Sequence, residues 1–254
     1  MKTRRHGSPR AELLFKDDWI IVVNKPAGVL SVPGRGDVAF LADLLRKQKA
    51  VAAEEDLLVV HRLDRGASGV MVLARTTEAQ RDLSAQWNAR TVEKVYLALA
   101  TGKIEGSGEV DLPLSVDREK SKVRVDRKKG KPSLTRYRAI EHLGGQTLLE
   151  CLPLTGRLHQ IRVHLAAIGH PLLVDSRYGG GRRFMLSSHK PGYRPNRREK
   201  ERPLISRLTL HAIRLSFDHP SGAGRVTFEA VPPKDLRATI AQLRRLNAVA
   251  RESG

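Results

Sequence analysis

Short apolar runs alternate with charged segments along this chain, and the spacing within each run predicts a strand or a helix. Runs rich in Val, Ile and Leu predict strands near 19–24, 57–60, 70–74, 94–102, 133–143, 146–154, 207–217 and 225–233. Apolar residues three or four positions apart predict four helices, which carry Phe40, Leu41, Leu44 and Leu45; Ala79, Leu83 and Trp87; Leu158, Ile161, Leu165 and Ile168; and the stretch 234–250. Because strands and helices mix without a regular βαβ rhythm, we expect an α+β fold with a mixed, largely antiparallel central sheet and flanking helices.

Local signals refine the boundaries of these elements. The run Thr77-Glu78-Ala79-Gln80 has the form of a capping box and predicts that the second helix starts there. Residues 1–12 are basic and are expected to be flexible. Two further segments are rich in Lys and Arg and are expected at the surface: 117–131 as an exposed hairpin or loop, and 179–203 as a long loop.

The charge of the chain indicates its class of partner. The formal net charge is +19, and the usual partners of so large a positive surplus are nucleic acid and anionic membrane. No apolar run reaches the length of a membrane span, and the N-terminus lacks the apolar segment of a signal peptide. Cys151 is the only cysteine, so no intramolecular disulfide can form, and we expect a cytoplasmic location.

Several kinds of site are not indicated by the sequence. It contains no CxxC and no HExxH motif, and His159 and His164 are five positions apart, which is poor spacing for one helical face. The run GGGRR lacks the Lys-Ser/Thr ending of a P-loop, and GASGV around Ser68 is not a nucleophile elbow. We therefore expect neither a metal nor a bound cofactor.

The stretch HRLDRGASG, residues 61–69, is an unusual interruption between two apolar runs. Asp-Arg-Gly is a common turn sequence, and on spacing alone a purely structural aspartate is the simpler interpretation. However, Asp64 has an arginine on each side, and a carboxylate between buried strands needs a partner to offset its desolvation. These two observations make Asp64 a candidate functional residue.

Five motifs in order resemble the RluA-type family of RNA pseudouridine synthases. HRLDRGASGVMVLAR resembles the family signature, and DDWIIVVNKPAGVLSVPG resembles its opening strand and Lys-Pro-x-Gly loop. VEKVYLALATG, LTGRLHQIRVHLAAIGHPLLVDSRYG and RLTLHAIRLSFDHPSG are similar to its later motifs. The resemblance covers nearly the whole chain, from about Leu13 to about Pro233. It implies a pseudouridine synthase fold with a cleft between two sublobes, formed by a catalytic domain over 13–254.

The resemblance also implies the site. Asp64 is the essential carboxylate, Tyr96 stacks on the target uracil and assists proton movement, and Arg162 is the cation that keeps Asp64 ionised. Whether Asp64 attacks the sugar, attacks the base or acts as a base at the ribose stays open. Arg62 would fill the space that a flipped uridine leaves, a step that costs roughly a few kcal/mol. Arg65 would touch the RNA backbone or its own loop, and the other residues expected to bind RNA are His61, Arg157, His159, Lys25, Arg182 and Arg183.

The chain departs from the family pattern in three ways. Ala67 stands where the family usually has threonine, which we expect to be a packing variation, and the loop at 179–203 is long. The small N-terminal S4-like RNA-binding domain of many members is expected to be lacking.

The implied partner is ribosomal RNA, with transfer RNA as an alternative, and we expect a monomer. A non-catalytic RNA-binding or ribosome-assembly protein on the same fold is the alternative function. A DNA-binding protein is more distant, because no helix presents a base-reading face.

Overall fold

The computed structural model of the protein describes residues 9–33, 40–117, 122–189, 193 and 201–252. The chain divides into two compact units. Unit 1 comprises Met1–Glu93 and Ala212–Val231, and unit 2 comprises Lys94–His211 and Pro232–Gly254. Both units combine strands and helices, which confirms the predicted α+β class.

The described residues form twelve strands and four helices. The strands are β1 (Glu12–Lys16), β2 (Ile20–Lys25), β3 (Leu58–Val59), β4 (Ser68–Ala74), β5 (Glu93–Thr101), β6 (Ser107–Asp111), β7 (Leu114–Asp117), β8 (Lys122–Val125), β9 (Leu134–His142), β10 (Gln146–Pro153), β11 (Leu210–Asp218) and β12 (Arg225–Glu229). The helices are α1 (Leu41–Lys47), α2 (Thr77–Ala89), α3 (Gln160–Ala167) and α4 (Lys234–Glu252).

In unit 1 the two most apolar strands lie side by side. β2 pairs with β4 in antiparallel register, with Val22 opposite Val72, and β1 pairs with the other edge of β2. β3 pairs with β4, and β12 pairs with β11, again antiparallel. Every residue of β4 is buried, which explains its continuous apolar run after Gly69. Ala79 and Leu83 of α2 pack into the same core.

In unit 2 the strand order is β5, β10, β9, β6, and the neighbours are antiparallel. β7 and β8 form a separate antiparallel hairpin, so the basic segment near 117–131 is largely a hairpin. Ile161 and Leu165 on α3 are buried, as are Leu236, Ile240 and Leu243 on α4, as their helical spacing predicts. Among the described residues, no helix is long and apolar enough to cross a bilayer.

The structure corrects four boundaries. Strands β1 and β6 had no counterpart in the sequence prediction. Leu158 lies before α3 and is exposed, because His159 adopts a left-handed conformation with φ 55° and the helix begins only at the next residue. Helix α2 is capped by Thr76, whose side chain accepts from the Ala79 N–H, and not by Thr77. Within the segment 1–12 that was predicted to be flexible, Ala11 is buried and its N–H donates to Gln48 Oε1 at 3.0 Å, whereas residues 1–8 lie outside the described residues.

The two basic segments lie partly outside the described residues. Residues 118–121 at the tip of the hairpin are outside them, as are 190–192 and 194–200 of the long loop. The base of that loop is closed by two backbone hydrogen bonds, from the Phe184 N–H to the Ile205 carbonyl and from the Leu204 N–H to the Phe184 carbonyl, both at 2.8 Å. Phe184 itself is buried, so this part of the segment is attached to the body of unit 2.

Candidate functional site

The charged loop before β4 is tied to a second loop of unit 1. The Leu63 N–H donates to Ser31 Oγ at 3.0 Å, and the Ser31 hydroxyl donates to the Leu63 carbonyl at 2.8 Å. Two residues later, the Gly28 N–H donates to the Arg65 carbonyl at 2.7 Å, and Arg65 Nε donates to the Gly28 carbonyl at 3.1 Å. The Arg65 side chain therefore contacts the second loop and not its own, and its contact with the RNA backbone stays a prediction.

Lys25 ties the same two loops together from the inside. Its ammonium donates to the carbonyls of Pro26, Val29 and Ala67 at 3.0, 2.8 and 2.9 Å, and the side chain has no exposed surface. The expectation that Lys25 binds RNA directly is therefore corrected. A buried ammonium is stable only when its N–H groups are satisfied, and these carbonyls satisfy them.

His61 is held against the body of unit 1. The Val72 N–H donates to its Nε2 at 3.1 Å, so a neutral imidazole carries its proton on Nδ1. The ring stacks on Trp87 of α2, with centroids 4.6 Å apart. These contacts give His61 a structural role at the start of the loop, and a contact of His61 with RNA stays a prediction.

Between these attachments, Arg62 and Asp64 lie on a backbone that is held on both sides. The Ala67 N–H donates to the Asp64 carbonyl at 3.0 Å, which closes the turn. The Asp64 residue is half-buried, whereas Arg62 is exposed and makes no hydrogen bond or ion pair to any residue that the structure describes. The outward direction expected of Arg62 agrees with this exposure, and its contact with RNA stays a prediction.

The Ser-Gly pair of the motif has a packing explanation. Gly69 has φ +125°, and a Cβ at this position would lie 2.2 Å from the Ala212 carbonyl oxygen of β11. Only glycine therefore permits this close approach of the two strands. Ser68 and Ala67 are buried, which agrees with the packing role expected for the alanine.

In unit 2, Arg162 is held by an aspartate that the sequence analysis did not single out. Arg162 Nε donates to Asp175 Oδ2 at 2.7 Å and Nη2 donates to Oδ1 at 2.9 Å. The side chain of Arg162 is 11% exposed and that of Asp175 only 2%. This bidentate pair fixes the plane of the guanidinium. The expected proximity of Arg162 to Asp64 concerns residues of different units and stays a prediction.

His159 and Arg162 share contacts with Tyr178. His159 Nδ1 lies 2.7 Å from the Tyr178 hydroxyl, and the Val123 N–H of β8 donates to the same hydroxyl at 3.1 Å. The Arg162 guanidinium carbon lies 4.9 Å from the centroid of the Tyr178 ring. The signal in the sequence was the run VDSRYG, which carries both Asp175 and Tyr178.

Gln160 builds the turn that carries Arg157 and His159. Its Oε1 accepts from Thr155 Oγ1 at 2.7 Å and from the Arg157 N–H at 3.0 Å. Its Nε2 donates to the Leu134 carbonyl at 2.9 Å, so the turn is anchored to β9. Gln160 is buried although it is polar, because its amide makes these hydrogen bonds. No motif in the sequence marks Gln160 as part of a site.

The remaining predicted residues, Tyr96, Arg182 and Arg183, also belong to unit 2. Tyr96 is on β5, opposite Cys151 of β10, and is half-buried. Arg182 and Arg183 are exposed at the base of the long loop. For these three residues the expected roles stay predictions.

Burial sets the protonation of several groups. It raises the pKa of the Tyr178 phenol, which therefore keeps its proton near neutral pH. It raises the pKa of the Cys151 thiol to about 12, so this cysteine is an unreactive core residue. It lowers the pKa of His164, and the neutral ring donates from Nε2 to the Leu112 carbonyl at 3.0 Å. Among the described residues, no group of three or more His, Cys, Asp or Glu is placed to hold a metal ion.

Comparison with known proteins identifies the family. A model of the RNA pseudouridylate synthase family matches residues 19–167. Ribosomal large subunit pseudouridine synthase D of Nitrosomonas europaea is 38% identical over 240 residues, which cover 92% of this chain and 66% of the relative. Dual-specificity RNA pseudouridine synthase RluA of Vibrio vulnificus is 39% identical over 219 residues, which cover 84% of this chain and 79% of the relative.

The fold agrees with a solved structure of the same family. The structure of human RNA Pseudouridylate Synthase Domain Containing 1 matches with a TM-score of 0.67 and 26% identity, covering 92% of this chain and 87% of that one. The matched family region includes the loop of Asp64, strand β5 and the arginine of α3. The chain belongs to the RNA pseudouridylate synthase family.

Proposed function

We propose that this chain isomerises a specific uridine in structured RNA to pseudouridine, with Asp64 as the essential carboxylate and residues 13–254 as the catalytic domain. The observation that carries the proposal is the construction of the Asp64 loop. Leu63, Arg65 and Ala67 are each hydrogen-bonded to the second loop or to Lys25, so the backbone is held on both sides of Asp64. A rigid loop that holds one carboxylate in place suits a reaction that needs few groups in fixed positions.

The chemistry requires no co-reactant. The bond between the ribose carbon and a uracil nitrogen breaks, and a bond between the same ribose carbon and a uracil carbon forms. The uracil carbon that forms the new bond loses one proton, and the freed uracil nitrogen gains one, so the atoms balance. We propose Tyr96 and Arg162 as the other catalytic residues, Tyr96 beside the uracil and Arg162 as a fixed cation. The bidentate pair with Asp175 supports the second assignment, because it holds the guanidinium rigidly.

The class of RNA follows from the relatives. We infer ribosomal RNA as the substrate, because one relative is named for the ribosomal large subunit, and transfer RNA as the alternative, because another is named dual-specificity. The surplus of positive charge supports an RNA partner of either kind. We further infer a cytoplasmic monomer, and size-exclusion chromatography with light scattering tests the oligomeric state.

The experiment that tests the activity uses the whole chain and total bacterial RNA. The RNA is incubated with the protein and new pseudouridines are mapped by chemical labelling. We expect one or a few new sites, at nucleotides in structured ribosomal RNA. Binding without any new pseudouridine would support the non-catalytic RNA-binding alternative.

The matched variant is Asp64→Asn, which removes the charge and keeps the shape of the side chain. We expect single-turnover activity to fall below detection, while the melting temperature and the RNA affinity stay near those of the wild type. The backbone hydrogen bond to Ala67 does not involve the substituted group, so the loop is preserved. Activity within about tenfold of the wild type, a loss of only ~1.4 kcal/mol, would reject the assignment of Asp64.

A further inference from the structure

Tyr178 contacts both the β7–β8 hairpin and the start of α3 in unit 2. It is 8% exposed and packs in a small apolar cluster with Leu114, Val123 and Val163. Its own N–H donates to the Asp175 carbonyl at 3.2 Å, so its backbone is fixed by the residue that holds Arg162. Packing alone would require only a ring here, and a phenylalanine would supply it.

The hydroxyl of Tyr178 lies between two elements. It accepts from the Val123 N–H of β8 at 3.1 Å, and a hydroxyl that accepts one hydrogen bond still has its own proton to donate. His159 Nδ1, at 2.7 Å, is placed to accept that proton. One oxygen atom therefore links the hairpin to the residue just before α3. A buried hydroxyl bridging two elements in this way restricts their relative position.

The ring of Tyr178 faces two cations. The Arg162 guanidinium carbon lies 4.9 Å from the ring centroid and Lys122 Nζ lies 5.4 Å from it, both within the range of cation–π attraction. Asp175 fixes the plane of the guanidinium through its two hydrogen bonds, and the guanidinium carbon lies over the Tyr178 ring. Arg162 is therefore held from two directions, and the ring supplies one of them.

We propose that Tyr178 is a positioning residue with two separate tasks: its hydroxyl aligns the β7–β8 hairpin and His159 for RNA binding, and its ring holds Arg162 in the orientation used in the reaction. The inference rests on the proposed function, because it assigns RNA binding to the hairpin and catalysis to Arg162. It predicts that loss of the hydroxyl and loss of the ring have different kinetic consequences.

The test compares Tyr178→Phe with Tyr178→Leu in single-turnover experiments at varied enzyme concentration, on an RNA that the wild type modifies. The phenylalanine variant loses the hydroxyl and keeps the ring. We expect its half-saturating enzyme concentration to rise about fivefold, the factor that one hydrogen bond provides, with the maximal rate within about twofold of the wild type. The leucine variant loses both groups, and we expect its maximal rate to fall in addition by about tenfold.

Tyr137→Phe is the matched control, because Tyr137 is a half-buried tyrosine of β9 in the same unit. Its kinetic constants should equal those of the wild type. A Tyr178→Phe variant that matches the wild type in both constants would overturn the hydroxyl task. A loss of maximal rate in that variant would overturn the division of tasks. A Tyr178→Leu variant with the maximal rate of Tyr178→Phe would overturn the ring task.

A measurement without turnover separates this inference from the proposed function. Hydrogen exchange of the Val123 amide in the free protein reports the hydrogen bond to the hydroxyl directly, and it should accelerate about fivefold in Tyr178→Phe. Unchanged exchange would overturn the hydroxyl task even in an active enzyme. If the wild type produces no pseudouridine, the proposed function fails, and the Val123 result still decides whether Tyr178 holds the hairpin.

Discussion

At the scale of single residues, Lys25 shows how a cation can be structural in a strongly basic protein. Its ammonium is the only part of the side chain that water would otherwise solvate, and three carbonyls replace that water. Two of the carbonyls belong to the residues after β2, and the third belongs to Ala67 at the start of β4. The side chain therefore fixes the distance between the two loops that surround Asp64.

We predict that Lys25→Met destabilises the protein by about 3 kcal/mol, because several carbonyls are left buried without a donor while the apolar stem is conserved. Urea unfolding followed by circular dichroism measures the loss. Lys16→Met is the control, because Lys16 is partly exposed and makes a 2.9 Å ion pair with Glu55, which contributes ~1 kcal/mol or less. Equal losses in the two variants would show that the buried ammonium has no special role.

Arg62 and Arg65 are both exposed, yet of these two only the Arg65 guanidinium is hydrogen-bonded within the described residues, to the Gly28 carbonyl of the second loop. We predict that Arg62→Ala slows single-turnover modification much more on a stem-loop than on an unstructured oligonucleotide, because the cost of extracting a base depends on its stacking. Arg65→Ala should instead affect both RNAs by a similar factor, through the loop. If Arg62→Ala lowers the rate equally on both substrates, the flipping role is wrong.

The predictability of the site differs between these residues for a physical reason. The motif around Asp64 is local, so its sequence indicated both the loop and the exposed Arg62. The partners of Lys25 and Arg162 depend on tertiary packing: Asp175 is thirteen positions from Arg162, and Ala67 is forty-two from Lys25. A sequence pattern reports that a cation is present, but it contains no information on which oxygen atoms the fold brings to it.

At the scale of elements, the strands rich in branched apolar residues were predictable, because a strand that is buried on both faces has a continuous apolar sequence. β4 nevertheless begins at Ser68, earlier than predicted, because its pairing with β2 extends to Gly69, which lies opposite Lys25. The edge strands β1 and β6 were not predicted, because each has at most one apolar face and its sequence therefore lacks a clear strand pattern. Helix starts depend on single side chains, and α2 illustrates this.

We predict that Thr76→Ala lowers the free energy of unfolding by about 1 kcal/mol, because Thr76 Oγ1 accepts from the Ala79 N–H at 3.1 Å. Thr77→Ala, one residue later, should change it by less than about 0.5 kcal/mol, since it replaces a residue of the first turn with a better helix former. The two variants are compared by urea unfolding. The reverse order of losses would restore the capping box proposed from the sequence.

At the scale of the whole molecule, the positive charge is the feature with the widest effect. Many of the described ion pairs lie at the surface, such as Arg244 with Glu141 at 2.8 Å, and such pairs neutralise part of the cationic surface. Other cations form no ion pair with a described carboxylate, including Arg127, Lys128 and Lys129 of the hairpin and Arg182 and Arg183 of the long loop. These unpaired cations are the ones available to RNA phosphates.

We therefore predict that RNA affinity falls steeply with salt and that the slope depends on which cations are removed. Each neutralised phosphate adds roughly 0.7 to 0.9 to the slope of log affinity against log salt concentration. Replacing Arg127, Lys128 and Lys129 together by glutamine should reduce the slope by roughly 2, and replacing Arg182 and Arg183 by roughly 1.5, if each contacts one phosphate. Binding is measured in the Asp64→Asn background, so that turnover does not change the ligand. Arg244→Gln is the control, because its guanidinium is already paired with Glu141. A slope that stays constant in both multiple variants would show that neither basic segment contacts RNA, and that their charge serves only the solvated surface.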